Sequence, residues 1–149
     1  MANLGKWGNR SATTQVMTTE LNALANATAT TLSAVVANQT NLDIYADVWL
    51  HLATLTATAG AYGTLYILPA LDGAFYPSSA AAGLRQQTTH VLCTFALGTP
   101  TTTAQDIVVR NVVLPPEAFK LVYDNQAGVA LNPLANTITF ITYDVNLNA

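Results

Sequence analysis

Two histidines, one cysteine and eight carboxylates are the side chains of this 149-residue chain suited to acid–base, nucleophilic or metal chemistry. His51 and His90 both fall in strand-like segments. Joined across a sheet with an aspartate, they would make a minimal metal or acid–base set. A lone strand histidine is more commonly a hydrogen-bonded or exposed residue, and that is the expectation here. Cys93 stands three positions from His90, on the opposite pleat face, so a Cys–His dyad is not expected. It reads instead as a small buried apolar filler. Asp43 and Asp47 share a face by parity, yet four residues of strand separate them by roughly 13 Å, too far for a glycosidase pair. Asp72, Glu117 and Asp124 sit in or near loops without calcium-loop spacing, and turn chemistry explains Asp72 better. The chain contains no phosphate loop, GxGxxG, GxSxG or HExxH pattern. It is read as a non-enzyme with no cofactor, no metal and no small-molecule substrate.

Composition narrows the class further. Hydrophobic residues make up 51% of the chain and charged residues 9%, with a formal net charge of −3. An average domain carries about 25% charged residues. Five Lys and Arg in all leave no basic footprint for nucleic acid. No apolar run approaches the roughly 18 residues of a spanning helix, so no membrane partner is expected. Disorder requires the reverse composition. The first ten residues have no apolar h-region, so no signal peptide is read, and assembly in a reducing cytosol is expected. Thr, Asn, Ser and Gln must build the polar surface. Such a surface repels its neighbours weakly and promotes association. That suits a subunit packed against other molecules, including copies of itself.

The elements that must position these side chains are mostly strands. Ile44, Ala46, Val48, Leu50 and Leu52 alternate with Tyr45, Asp47, Trp49 and His51, a period of two that buries one face. Tyr45 and Trp49 then lie on the other face, which is not plainly a solvent face. Further strands are predicted over 62–68, 90–97, 105–114, 119–124 and 136–147, with turn signals between them. Residues 71–79 read as a loop turned by Asp72-Gly73 and closed by Pro77. Thr19–Asn26 is predicted as two helical turns, capped by a threonine and with Glu20 in the first turn. Residues 27–37 read as a strand or extended strip. No long amphipathic helix is available to cross between parallel strands. The fold class is therefore all-β: an antiparallel sandwich, jelly-roll-like, with at most one short helix. Residues 1–18 read as an extended N-terminal arm whose one large anchor is Trp7, and residues 19–149 as a single sandwich domain.

Three stretches share a resemblance. They are Met1-Ala-Asn-Leu-Gly-Lys-Trp-Gly-Asn-Arg10, Tyr66-Ile-Leu-Pro-Ala-Leu-Asp-Gly-Ala-Phe-Tyr-Pro77, and Leu114-Pro-Pro-Glu-Ala-Phe-Lys-Leu-Val-Tyr-Asp-Asn-Gln-Ala-Gly-Val-Ala-Leu131 with Asn136-Thr-Ile-Thr after it. Together they resemble small virion proteins of tailed bacteriophages, similar to capsid decoration (cement) proteins. The resemblance implies a structural role in the virion, assembled in the host cytoplasm, with the major capsid protein as partner. Self-association is expected, and a trimer would suit capsid symmetry. The residues expected to make capsid or subunit contacts are Leu4, Trp7, Arg10, Tyr45, Trp49, Phe75 and Tyr76. The competing expectation is a tail or head-fibre module binding host-surface glycan, with Tyr62, Tyr66, Phe75 and Tyr76 stacking on sugar rings.

Overall fold

The computed structural model of the chain describes residues 6–8, 10–72, 74–76, 90–98 and 103–146, and for 6, 7 and 146 the backbone alone. The described residues form ten strands: β1 (Lys6–Trp7), β2 (Thr14–Met17), β3 (Thr28–Ala29), β4 (Tyr45–Leu52), β5 (Tyr62–Pro69), β6 (Val91–Ala96), β7 (Gln105–Val113), β8 (Phe119–Gln126), β9 (Thr137–Tyr143) and β10 (Val145–Asn146). Eight of them build two four-stranded antiparallel sheets, sheet I in the order β2-β9-β4-β7 and sheet II in the order β3-β8-β5-β6. The architecture is an antiparallel β-sandwich, as the alternating pattern predicts. Strand β1 pairs with β10 as a separate ribbon.

The core lies between the sheets. Val48, Leu50 and Leu52 of β4 and Ile138 and Phe140 of β9 meet Leu65 of β5, Phe95 of β6 and Leu121 and Tyr123 of β8. The Phe119 and Phe140 rings touch across the layers with centroids 6.4 Å apart. A smaller apolar group, Tyr66, Leu68 and Val122, lies on the outer face of sheet II and is covered by Ala29 and Leu32. Sheet II is thus sheltered on both faces in this region.

The cover over sheet II follows an unusual register. Residues 30, 33 and 36 step along β8 in threes, while their partners Tyr123, Leu121 and Phe119 step in twos. Thr30 N–H donates to the Tyr123 carbonyl (2.9 Å), Ser33 N–H to the Leu121 carbonyl (3.0 Å), and Val36 N–H to the Phe119 carbonyl (2.8 Å). The extra residue per step removes the backbone acceptor that the returning amides would use. Side-chain hydroxyls replace it: Leu121 N–H donates to Ser33 Oγ (2.9 Å) and Tyr123 N–H to Thr30 Oγ1 (3.0 Å). The Thr and Ser enrichment of this strip therefore serves ladder closure. Only Thr28–Ala29 is regular strand here.

Two local expectations change. The helix predicted over Thr19–Asn26 is a single 3-10 turn, Thr19–Leu21. Ala23 takes a left-handed conformation (φ 56°), and its N–H leaves the helix path for the Asn132 carbonyl (3.1 Å). The α-helix that does form is one turn, α1 (Asn38–Asn41). Residues 14–17, read as part of an arm, form β2 at the edge of sheet I, with Met17 in the core. A buried methionine outweighs the weak periodicity of that segment. Among the described residues no helix is long and apolar enough to cross a membrane.

Candidate functional site

Strand β4 sorts its side chains by parity. Ala46, Val48, Leu50 and Leu52 are buried in the core, and Tyr45, Asp47, Trp49 and His51 project from the outer face of sheet I. Register then sets their neighbours. Tyr45 stands between Tyr143 and Val113, Trp49 between Thr139 and Val108, and His51 between Thr137 and Asp106.

Asp47 is on the outer face yet only 4% exposed. A β-bulge explains this. Ala46 pairs with Val112 and Val48 with Val109, so Asp47 alone faces Arg110 and Asn111. Asn111 takes the left-handed conformation the bulge requires (φ 59°), which asparagine tolerates better than most residues. That conformation aims the Asn111 N–H at Asp47 Oδ1 (3.1 Å). Arg110 Nη1 donates to Oδ2 (3.2 Å), and Arg10 donates to the same oxygen. The Tyr143 hydroxyl lies between Asp47 Oδ1 (3.2 Å) and the Asn111 side-chain oxygen, with one proton to give. The Arg10 guanidinium also sits 5.6 Å over the Tyr143 ring, whose other neighbour is the stacked Tyr45 ring at 5.9 Å.

Burial works to raise the Asp47 carboxyl. The Asn111 amide, the Arg10 guanidinium and the Tyr143 hydroxyl outweigh it and hold the group below the usual carboxylate range. Tyr143 is pushed up, by burial first and then by the Asp47 charge. The carboxylate is thus ionised and its lone pairs are occupied by donors. It clamps two guanidinium groups against the sheet. A cavity of about 400 Å³ opens beside them, lined by Gly8, Arg10, Asp47, Arg110, Asn111 and Tyr143.

Further along the same face, Asp106 Oδ1 accepts the Trp49 indole N–H (2.8 Å) and lies 2.7 Å from His51 Nδ1. Hydrogen bonds from His51 and then Trp49 lower the Asp106 carboxyl. The contact fixes the indole plane and, in the neutral imidazole that donates from Nδ1, leaves Nε2 as an acceptor. A groove of about 470 Å³ is lined there by Trp49, His51, Asp106, Gln15, Thr137 and Thr139. Trp49 remains 39% exposed.

The structure separates the two histidines: His51 is in sheet I, and His90 immediately precedes β6 of sheet II. Cys93 is buried in the core, and burial pushes its thiol up to about 12. It is protonated at neutral pH. Asp43 stands apart from Asp47, accepting the Thr142 hydroxyl (2.5 Å) and donating its N–H to Asn38 Oδ1 (3.1 Å). Asp72 accepts the Phe75 and Ala74 N–H groups, a turn role. Among the described residues no group of three or more His, Cys, Asp or Glu is placed to hold a metal ion.

Of the residues expected to make contacts, Arg10, Tyr45 and Trp49 share the outer face of sheet I. Phe75 is 60% exposed on the loop after β5, and Tyr76 carries the Lys120 ammonium 4.7 Å over its ring. Leu4 lies outside the described residues, as do Gly73 and Pro77 of the predicted loop; Trp7 contributes its backbone to β1. Tyr66, expected to stack on sugar, is buried under Ala29 and Leu32. Sequence reasoning missed Asp106, Arg110, Asn111 and Tyr143. The one available signal was Arg110-Asn111 interrupting the apolar run 107–113, a place for a bulge. No protein-family model, curated protein or solved structure matches the chain.

Proposed function

We propose that this chain is a structural virion protein of a tailed bacteriophage, a capsid decoration protein that binds between shell subunits and acts by passive docking. The observation that carries the reading is an apolar end of the sandwich. Leu42, Ile44, Leu71, Phe75 and Val113 are all exposed, Leu71 by 78%. They belong to segments held together at that end. Leu114 N–H donates to the Ile44 carbonyl (2.9 Å), Asn38 Nδ2 to the Pro115 carbonyl (2.7 Å), and Ala70 N–H to the Ala118 carbonyl (2.8 Å). A groove of about 350 Å³ runs between them, lined by Gln39, Leu71, Pro116 and Glu117 among others.

The same end gathers parts of all three stretches that resemble virion proteins. The β1–β10 ribbon begins where β9 ends, with Gly8 N–H on the Asp144 carbonyl (2.6 Å). Residues 70–72, 74–76 and 114–118 complete it. Exposed apolar side chains on a charge-poor exterior dock without desolvating ions, which would be costly. Many copies, each binding modestly, then reinforce a shell.

Shells lacking the protein, incubated with it, should bind it in high copy number and gain resistance to heat. Leu71→Glu with Phe75→Glu should abolish both effects while the isolated protein keeps its melting transition. Undiminished binding by the variant, or only a few copies per purified particle, would end this reading.

A further inference from the structure

We propose that the outer face of sheet I carries a binding site for an acidic saccharide, with Trp49 stacking on a pyranose ring and Arg110, with Arg10, taking a carboxylate on that ring. The inference stands on different residues from the apolar end and does not depend on the decoration role.

Three observations converge. First, both recognition groups are held in place before any ligand arrives. Trp49 is pinned through its indole N–H by Asp106, and the two arginines through Asp47. Preorganised side chains lose little freedom on binding. Asp47 and Asp106 are positioning residues here. Second, the arginines keep unused donors. A guanidinium offers five N–H groups. Among the described residues Asp47 is the only hydrogen-bond acceptor for either, although the side chains are 49% and 66% exposed. At the Asp47 end two guanidinium groups face one carboxylate, and the second carboxylate of this face, Asp106, lies at the Trp49 end. The whole chain has five Lys and Arg and a net charge of −3, so gathering two on one spot is a costly use of scarce cations. Third, the spacing suits one ligand. Val108 lies opposite Trp49, and Arg110 is two residues beyond it on the same strand. Two strand residues span about 7 Å, the reach of a sugar ring and its carboxyl substituent.

The remaining lining fits saccharide hydroxyls. Gln15, Thr137, Thr139 and His51 border the groove around Trp49, and the Asp106 carboxylate is available to accept from hydroxyl groups. An aromatic face with polar groups at its edge is suited to a ring that has apolar C–H faces and an equatorial belt of hydroxyls. An acidic peptide would satisfy the arginines and leave Trp49 unused. Nucleic acid is disfavoured by the net negative charge.

The test is titration of the full chain, followed through the indole N–H resonance of Trp49, assigned with Trp49→Phe. Tetragalacturonate and sialyllactose serve as acidic probes, and galactotetraose and lactose as their neutral counterparts. Saturable shifts with an acidic probe at dissociation constants on the order of 1 mM, and at least tenfold weaker response to its neutral counterpart, are expected. Which acidic probe binds distinguishes a uronate from a sialate source. Arg110→Gln should remove the acidic preference, a loss of about tenfold, and Trp49→Ala should remove binding of all four. Equal response to acidic and neutral probes would overturn the proposal, as would equal response to polyglutamate or none at about 20 mM ligand. These readings on the unaltered protein decide the matter even if a variant fails to fold. Particle binding by Arg110→Gln should equal that of the unaltered chain, so failure here is distinguishable from failure of the decoration reading.

Discussion

Asp47 is the residue on which the sheet I face turns, and its chemistry makes a pH prediction. In the unfolded chain its carboxyl titrates near the ordinary value of 3.8, and in the folded chain below it. Through that interval the unfolded state binds more protons. Stability from Asp47 is therefore full above about pH 4 and is lost as pH falls through the folded value. Asp106 and Asp72 are shifted in the same direction, so acid loss in the unaltered protein is shared. The contribution of Asp47 is isolated by comparison with Asp47→Asn. That variant should be less stable by about 1–2 kcal/mol at pH 7, a value discounted for the half-exposed arginines, and the gap should narrow as pH falls below about 4 and through the folded value. Urea denaturation at stepped pH measures it. A gap that is constant with pH would mean that shape alone, not charge, holds the bulge. A second residue-scale prediction concerns Gly63, which is in β5 because the Tyr123 ring occupies the space a methyl group would need. The Tyr123 hydroxyl is buried with no hydrogen-bond partner among the described residues. Gly63→Ala should cost about 2–3 kcal/mol. Tyr123→Phe should be neutral or stabilising by about 1 kcal/mol, and should recover part of the Gly63→Ala loss when combined with it. Additive effects would show that the two do not compete for that space.

At the scale of elements, the strands were legible because one face of each is buried and the pleat has period two. The alternation yields β4 with its two faces correctly divided from Tyr45 to Leu52, while Ile44, expected on the buried face, lies before the strand and is exposed. What was not legible is polar. Sequence patterns treat Asn, Ser and Thr between strands as solvent-facing turn formers, and here several are internal partners of the backbone. Asn125 is fully buried; its Nδ2 donates to the carbonyls of Leu24 (3.0 Å), Ala25 (3.2 Å) and Val129 (2.9 Å), and its Oδ1 accepts the Ala127 N–H (3.0 Å). It stitches the segment before β3 to the turn after β8. Asn136 does the same for residues 53 and 132. No local pattern announces such a long-range bond. The Asp47 site was hidden for a related reason: it needs a bulge, and a bulge changes cross-strand neighbours without changing hydrophobic parity. Arg10, Tyr45 and Trp49 were legible as candidates; their assembly with Arg110, Asn111 and Tyr143 was not. Asn125→Ala should cost about 2–3 kcal/mol by leaving three carbonyls and an amide without this partner. Hydrogen exchange should quicken at Ala127 more than in β4. Uniform quickening would assign Asn125 to global stability alone.

At the scale of the molecule, the described residues present two surfaces of opposite character, and scarcity of charge makes them separable. The end bearing Leu42, Leu71, Phe75 and Val113 is apolar, with Asp72 and Glu117 at its margin. The outer face of sheet I holds two arginines and a fixed indole. Association through the first removes apolar area from water and engages few ions, so it should be nearly indifferent to salt and should weaken on cooling. Binding through the second depends on two exposed guanidinium groups. Raising ionic strength from about 0.05 M to about 0.5 M shortens the screening length from beyond 10 Å to less than half that. Acidic-saccharide binding should then fall several-fold, while shell binding and self-association, followed by sedimentation, should stay level or strengthen. The separation follows from chain composition. A protein with an ordinary density of surface charge would show salt dependence everywhere, and the response of one site could not be assigned to two arginines. If shell binding proves as salt-sensitive as saccharide binding, the docking surface is the arginine face of sheet I and not the apolar end, and the substitutions at Leu71 and Phe75 will leave it intact.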